Sequence, residues 1–402
     1  MFRSITLFAF IALGSVSVRA DKPQPADLSR LVVVGDSLAA GYQDFSLFDG
    51  TAAPVNGGQQ HGFANLIAAQ ARVDLHLPLI SYPGIPPALQ ISTSGVVTRA
   101  AGVGSRINPG VQTFNLSVPG FLLADALGRV VDPLNTTNPI DAMALSVLAE
   151  PGACGVTRAL NGTLVVSEVN CALQLHPTTV LVSIGNNDAL QGLIFGVAPT
   201  DSITFAREYD TLLSKLVSTN AAIVVGNIPD VTDLPFLVPA SAFTAQCGFS
   251  PVGAGPNDYV VPAILNPAAT SFNICANYQP RSAALVAQTA RAVSIFNSII
   301  KQEALRYGIE VVDVNNVFST IAKKGYDVNG VHLTANFLGG IFSLDGIHPT
   351  NTGYAILANA YIDEMNKYMG TNLTPVDIGQ IAAQDPLIFA AGSAGVIRPL
   401  NK

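Results

Sequence analysis

The sequence is poor in several residue types that mark common classes of protein. It contains no tryptophan, 7% aromatic residues and only 12% charged residues. It has no cluster of four or more lysine and arginine residues, and acidic residues outnumber basic ones by 27 to 20. Nucleic acids and anionic lipid surfaces are bound by basic faces. The composition therefore predicts no nucleic-acid partner and no electrostatic attachment to membranes.

Residues that could hold a metal ion are also few. The chain has four cysteines and five histidines, and neither a C-x-x-C nor an H-E-x-x-H pattern occurs. Zinc sites require such ligands at short, regular spacings, so we expect no metal centre. The cysteines form two sequence-local pairs, and among the three possible connectivities we expect disulfides between Cys154 and Cys171 and between Cys247 and Cys275.

Long hydrophobic runs are missing except at the N-terminus, although the mean hydropathy is +0.41. A membrane-spanning helix requires about 20 consecutive apolar residues. The only candidate follows Arg3 and ends near Ala20, with an apolar centre from Ile5 to Gly14 and a small residue at its end. This pattern is typical of a secretory signal peptide over residues 1–20. We therefore expect an exported protein with no transmembrane anchor.

Short apolar runs alternate with helical patterns along the rest of the chain. The runs that predict strands are residues 31–34, 111–114, 179–184, 221–225 and 309–314. The stretches that predict helices are residues 63–73, 121–127, 140–150, 202–217, 281–307 and 354–369. Such alternation is typical of a doubly wound α/β fold with a mostly parallel sheet, here five-stranded, which binds ligands at the carboxyl ends of its strands.

We interpret residues 21–402 as a single domain with two long insertions. Residues 76–110 and 232–280 lack clear periodicity and are rich in Pro, Gly, Ser and Thr, and the tail 372–402 is weakly patterned. Long irregular loops in compact domains are usually either functional or disordered. We expect the two insertions to form walls or lids of a pocket.

Four segments that follow the predicted strands carry polar chemistry. Ser37 lies in Gly-Asp-Ser-Leu after the first run, Gly120 follows the second, and Asn187 lies in Gly-Asn-Asn-Asp after the third. Asp345 and His348 lie in Asp-Gly-Ile-His-Pro, before the last predicted helix. Together these segments offer a hydroxyl, an imidazole with a nearby carboxylate, and several hydrogen-bond donors.

This set of groups matches the requirements of acyl transfer. A serine hydroxyl is a weak nucleophile until a base removes its proton, and His348 can be that base for Ser37. Asp345 can accept the Nδ1–H of His348 and so fix its tautomer. The backbone N–H groups of Ser37 and Gly120 and the side chain of Asn187 can hold the oxyanion.

These blocks resemble those of the GDSL-type lipases and esterases, the SGNH hydrolase superfamily. Ser37, Gly120, Asn187 and His348 match the four residues that give the superfamily its name, and Asp345 matches the acid of its triad. The resemblance implies a three-layer α/β/α, flavodoxin-like fold, no cofactor, and hydrolysis of carboxylic esters through an acyl-enzyme. The matching blocks span residues 31–354.

Alternatives remain for the base and for the substrate. His332 is the rival base, but an asparagine rather than an acid stands three residues before it. We interpret Asp36 as a hydrogen-bonding residue of the turn rather than an acid catalyst. Deacetylation of polysaccharides and a non-catalytic surface or binding role stay open, but few stacking aromatics favour small acyl or lipid-like esters.

Overall fold

The computed structural model describes residues 25–50, 56–92, 95–133, 138–149, 154, 157–159, 162–164, 166–263 and 273–388. The predicted leader 1–20 lies outside these residues, as does the end of the predicted tail. The strands are β1 Leu31–Gly35, β2 Leu89–Ile91, β3 Val97–Arg99, β4 Thr157–Ala159, β5 Gly162–Leu164, β6 Thr179–Ser183, β7 Ala222–Gly226, β8 Val238–Pro239, β9 Tyr259–Pro262, β10 Tyr278–Arg281, β11 Glu310–Val312, β12 Tyr326–Val328 and β13 Val331–Leu333.

Helices connect and cover the strands. They are α1 Ser37–Ala40, α2 Phe63–Ala71, α3 Leu123–Gly128, α4 Pro139–Leu148, α5 Glu168–Gln174, α6 Asn186–Ile194, α7 Ser202–Val217, α8 Ala240–Cys247, α9 Ala283–Arg306, α10 Val314–Lys324, α11 Asn351–Tyr368 and α12 Ile378–Ala382, with a 3-10 turn at Gly58–His61. All six predicted helical stretches are helical over most of their length.

A parallel sheet in the order β1-β6-β7-β11 forms the centre of the molecule. Residues of β1 and β6 are buried throughout, because helices cover both faces. Helices α2 and α11 pack together on one side, where Phe63 stacks on Tyr361 with ring centroids 4.8 Å apart. Helices α7 and α9 pack on the other, where Phe205 and Phe296 are 4.0 Å apart. The molecule is therefore a three-layer α/β/α fold, as predicted.

The strand predicted at residues 111–114 is wrong in its position along the chain. Pairing with β1 begins at Phe114, whose carbonyl accepts the N–H of Val33 at 2.8 Å, and continues to Val118, whose N–H donates to Gly35 at 3.2 Å. The segment alternates apolar and polar residues, and its buried Thr113 hydroxyl bonds the carbonyl of Asn115 at 2.7 Å. With this extended segment counted, the strands follow the flavodoxin-like order 2-1-3-4-5.

The insertions hold more regular structure than their sequences indicate. In residues 76–110, β2 and β3 form an antiparallel hairpin. In residues 232–280, β8, β9 and β10 form an antiparallel sheet over a small separate core that includes Val238, Phe243 and Val260. Disulfides join Cys154 to Cys171 and Cys247 to Cys275, which confirms the predicted local pairing.

One helix in the described part of the chain, α9, is long and apolar enough to cross a membrane, judged by length and composition alone. Its Val293, Phe296 and Ile300 are buried in the main core. That burial is what a helix covering a central sheet requires.

Candidate active site

The serine turn lies at the carboxyl end of β1. Asp36 caps helix α1, and its carboxylate accepts the N–H of Leu38 at 3.1 Å, so Ser37 becomes the first residue of the helix. Gly35 is required because a Cβ at this position would lie 2.5 Å from the carbonyl oxygen of Ser183 on the adjacent strand. The close approach of β1 and β6 thus requires a glycine at the strand end that leads into the serine turn.

The histidine comes to Ser37 from the far end of the chain. The segment before α11 places His348 Nε2 2.8 Å from Ser37 Oγ, although the two residues are 311 positions apart. The other ring nitrogen, Nδ1, lies 2.8 Å from Asp345 Oδ2. All three residues are buried, with Ser37 7% exposed. The predicted serine, histidine and aspartate therefore form one continuous hydrogen-bonded chain.

The carboxylate of Asp345 is held by backbone amides as well as by the imidazole. Its Oδ1 accepts the N–H groups of Ile347 and His348, each at 2.8 Å. Its Oδ2 also accepts the N–H of Phe45 at 2.7 Å. Burial acts to raise the pKa of Asp345, but the His348 imidazole and the backbone N–H groups of His348 and Ile347 hold that pKa below its ordinary value. Asp345 is therefore an ionised hydrogen-bond acceptor for His348.

Gly120 and Asn187 meet beside the serine turn. Gly120 has φ +88°, and a Cβ there would lie 2.6 Å from the Cδ1 of Ile140, so only glycine fits. The Asn187 side chain donates to the carbonyl of Phe121 at 2.9 Å, which leaves its second amide proton for a ligand. Within the described residues, the N–H groups of Ser37 and Gly120 have no protein acceptor.

Asp36 joins the serine turn to the asparagine block. Its carboxylate accepts the backbone N–H of Asn186 at 3.2 Å and the side-chain amide of the same residue at 3.1 and 2.9 Å. Burial raises the pKa of Asp36 to about 6, and the donors of Asn186 and Leu38 oppose that rise. These contacts agree with the interpretation of Asp36 as a hydrogen-bonding residue. They also hold the start of α6, which carries Asn187, beside the Ser37 turn.

The rival base lies elsewhere. His332 is on the exposed β12–β13 hairpin, where its Nδ1 lies 2.7 Å from Asp327 Oδ1. The His332 side chain is 56% exposed and that of Asp327 is 83% exposed. His348 Nε2 holds the hydrogen-bonding position at Ser37, so His332 lies outside the hydrogen-bonded chain of Asp345, His348 and Ser37.

A comparison with known families covers the whole site. The profile of the GDSL-like lipase/acylhydrolase family matches residues 31–361, which include all of the blocks described above. The chain belongs to this family. A GDSL-like acylhydrolase cleaves esters, so this protein is an ester-cleaving hydrolase.

Solved structures of GDSL-like and related esterases resemble the chain at low sequence identity. An acetylxylan esterase from Geobacillus stearothermophilus is 12% identical, covering 85% of this chain and 95% of its own, with a TM-score of 0.38. A psychrotrophic esterase from Pseudoalteromonas is 13% identical, covering 85% and 100%, with a TM-score of 0.36. A lipase/acylhydrolase from Enterococcus faecalis is 12% identical, covering 86% and 98%, with a TM-score of 0.36. A search of curated proteins finds no match.

The GDSL-like site also contains two groups that the sequence does not reveal. The Phe45 N–H on Asp345 is a backbone donor, which carries no residue signature. Glu168, the first residue of α5, is fully buried and accepts the N–H of Gly35 through Oε1. Burial raises its pKa well above the ordinary value. Glu168 therefore supports the strand end that carries Ser37.

Among the described residues, no group of three or more His, Cys, Asp or Glu side chains is placed to hold a metal ion. The two carboxylates near Ser37 accept hydrogen bonds from neighbouring residues: Asp36 from Asn186 and Asp345 from His348. The arrangement can supply a nucleophile, a general base and oxyanion donors from the chain itself.

Proposed function

We propose that this protein is a secreted serine hydrolase that cleaves carboxylic esters through an acyl-enzyme. Ser37 is the nucleophile, His348 the general base, and Asp345 the residue that orients the imidazole. The observation that carries the proposal is the relay of two 2.8 Å hydrogen bonds from Asp345 through His348 to Ser37 Oγ. Export is supported by the leader-like N-terminal sequence and by two disulfides, which persist in oxidising compartments.

The geometry accounts for both half-reactions. Ser37 Oγ attacks the ester carbonyl carbon while its proton passes to His348 Nε2, and the carbonyl oxygen becomes an oxyanion. The N–H groups of Ser37 and Gly120 and the free amide proton of Asn187 stabilise that charge. The protonated imidazole then gives its proton to the departing alcohol oxygen. A water molecule, deprotonated by His348, attacks the acyl-enzyme and releases the acid and Ser37.

The neighbours of the site favour an apolar acyl group. Ile140 lies against the Cα of Gly120, and the Tyr42 ring meets the His348 ring edge-on with centroids 4.8 Å apart. Phe45 packs beside Tyr42 at 6.0 Å. Burial of each additional acyl CH₂ against such side chains contributes about 0.8 kcal/mol. We therefore propose small acyl or lipid-like esters as the substrate class.

The substrate proposal predicts an acyl-chain preference. With p-nitrophenyl acetate, butyrate, octanoate and palmitate, we expect kcat/KM to rise from acetate to butyrate or beyond, by up to about fourfold per CH₂ contacted, since 0.8 kcal/mol corresponds to that ratio. The leaving group is common to the series, so differences report the acyl pocket. A preference for acetate, accompanied by acetate release from acetylated xylan, would overturn the lipid-like proposal and favour polysaccharide deacetylation.

The oxyanion assignment predicts a loss of kcat in Asn187→Ala. Removing one preorganised donor should lower kcat by about 10²–10³-fold with little change in KM, because the donor acts on charge formed in the transition state. Gln191→Ala is the matched control, because Gln191 is an amide on the same helix that donates to Asp188 and Thr200 instead. Equal kcat values for the two variants would refute the role of Asn187.

A further inference from the structure

Two consecutive residues beside the site adopt a conformation that side chains disfavour. Asp44 has φ +51° and Phe45 has φ +56°, both in the left-handed region. Residues other than glycine rarely adopt this conformation, and a pair of them persists only where the surrounding structure holds it in place. Asp44 is buried, so we look to its hydrogen bonds for what keeps the turn in this conformation.

The turn is bonded to the loop that carries the triad acid. Phe45 donates its N–H to Asp345 Oδ2 at 2.7 Å. Asp44 donates its N–H to Ser343 Oγ at 3.1 Å, and Asp44 Oδ1 accepts the N–H of Leu344 at 2.9 Å. The two segments are about 300 residues apart in sequence, yet these reciprocal bonds fix one against the other.

The insertion 76–110 supports the turn from its other side. The N–H of Leu89, on β2, donates to the carbonyl of Asp44 at 2.8 Å. The guanidinium of Arg99, on β3, lies 5.1 Å from the centre of the Phe45 ring. The β2–β3 hairpin therefore contacts the turn directly, and the turn contacts Asp345.

We propose that the Asp44–Phe45 turn is a positioning element for ester hydrolysis, which rests on the function proposed above. The left-handed backbone aims the Phe45 N–H at Asp345 Oδ2, the oxygen that also accepts Nδ1–H from His348. This second donor fixes the orientation of the carboxylate and hence of the imidazole. Asp44 acts through its hydrogen bonds to Ser343 and Leu344 rather than by touching the substrate. The β2–β3 hairpin holds the turn in its left-handed form.

Asp44 functions here as a hydrogen-bond acceptor. Burial raises the pKa of its carboxyl to about 8, so a neutral side chain with the same acceptor should replace it. Asparagine offers such an oxygen and tolerates left-handed φ better than most residues, whereas alanine offers neither. The Asn and Ala variants therefore separate the acceptor from the mere presence of a side chain.

The test measures kcat, KM and thermal stability for Asp44→Asn, Asp44→Ala and the milder Ser343→Ala. We expect Asp44→Ala to lower kcat about tenfold to a hundredfold with KM nearly unchanged, because misorientation of the base affects chemistry more than binding. Asp44→Asn should restore most of the lost kcat. Ser343→Ala removes only the acceptor of the Asp44 N–H and should lower kcat by a smaller factor.

Asn220→Ala is the matched control. Asn220 also has a left-handed backbone, with φ +59°, but it is exposed in the turn before β7. Its backbone N–H donates within that turn and not to the segment that carries Asp345. It should lower stability without lowering kcat. Wild-type kcat in Asp44→Ala, failure of Asp44→Asn to exceed Asp44→Ala, or an equal kcat loss in Asn220→Ala would each overturn the positioning role. Full activity of Ser37→Ala would instead overturn the proposed function on which it rests.

Discussion

Replacing Ser37 by alanine is expected to lower kcat for ester hydrolysis by at least about 10⁴-fold, to the level of the remaining binding and oxyanion contributions. The reason is that the substitution removes only the hydroxyl group, whose oxygen is the atom proposed to form the covalent bond. Its hydrogen bond in the structure is with His348 Nε2, so the fold should survive the change. The measurement is steady-state turnover of p-nitrophenyl butyrate, with circular dichroism of both proteins to compare their folding.

Ser117→Ala is the control for Ser37→Ala. Ser117 is also buried, and its Oγ lies 3.1 Å from where a Cβ on Gly35 would stand, which places it against the same strand end. Within the described residues its hydroxyl has no hydrogen-bond partner. This variant should keep full kcat. Turnover by Ser37→Ala within tenfold of the wild type would contradict the nucleophile assignment.

Asp345→Asn is expected to lower kcat by about 10⁴-fold while leaving the volume of the side chain unchanged. The carboxylate accepts four N–H groups, from Ile347, Phe45 and both the backbone and the ring of His348. A carboxamide presents an NH₂ group to some of these donors. The imidazole then favours the tautomer protonated at Nε2, which cannot accept the proton of Ser37. The pre-steady-state acylation rate measures this loss directly.

Asp327→Asn is the control for Asp345→Asn, because Asp327 makes a similar pair with His332 at 2.7 Å on the exposed β12–β13 hairpin. It should leave the acylation rate unchanged. If Asp327→Asn lost activity as Asp345→Asn is expected to, the base would belong to the His332 pair. If neither variant lost activity, an aspartate–histidine relay would not be part of the mechanism.

The central strands and the site blocks could be predicted because each has a local signature. Buried parallel strands are continuous apolar runs, so residues 31–34, 179–184 and 221–225 indicate β1, β6 and β7. The sequence pattern predicts the segment paired beside β1 a few residues too early, because its buried polar side chains form local hydrogen bonds and interrupt the apolar run. Ser37, Asp345 and His348 stand in short motifs at strand ends, where a doubly wound sheet gathers ligand-binding residues.

The remaining features depend on contacts between distant segments. The Phe45 N–H reaches Asp345 across 300 residues, and no residue type marks a backbone donor. Glu168 looks like an ordinary residue of a helix start, and only the packing of α5 under Gly35 shows its burial. Asp188 accepts from the N–H of Leu123 and so caps α3 rather than its own helix, because α3 starts beside it in space.

Ser37 is proposed to form a covalent acyl-enzyme, with His348 as its base. The most direct measurement is the intact mass of the protein after treatment with a p-nitrophenyl alkylphosphonate, followed by peptide mapping. We expect one phosphonyl adduct per chain, located on Ser37, formed in step with the loss of esterase activity and absent from Ser37→Ala. An adduct on another residue with the same loss of activity, or full labelling of Ser37 with activity retained, would contradict it.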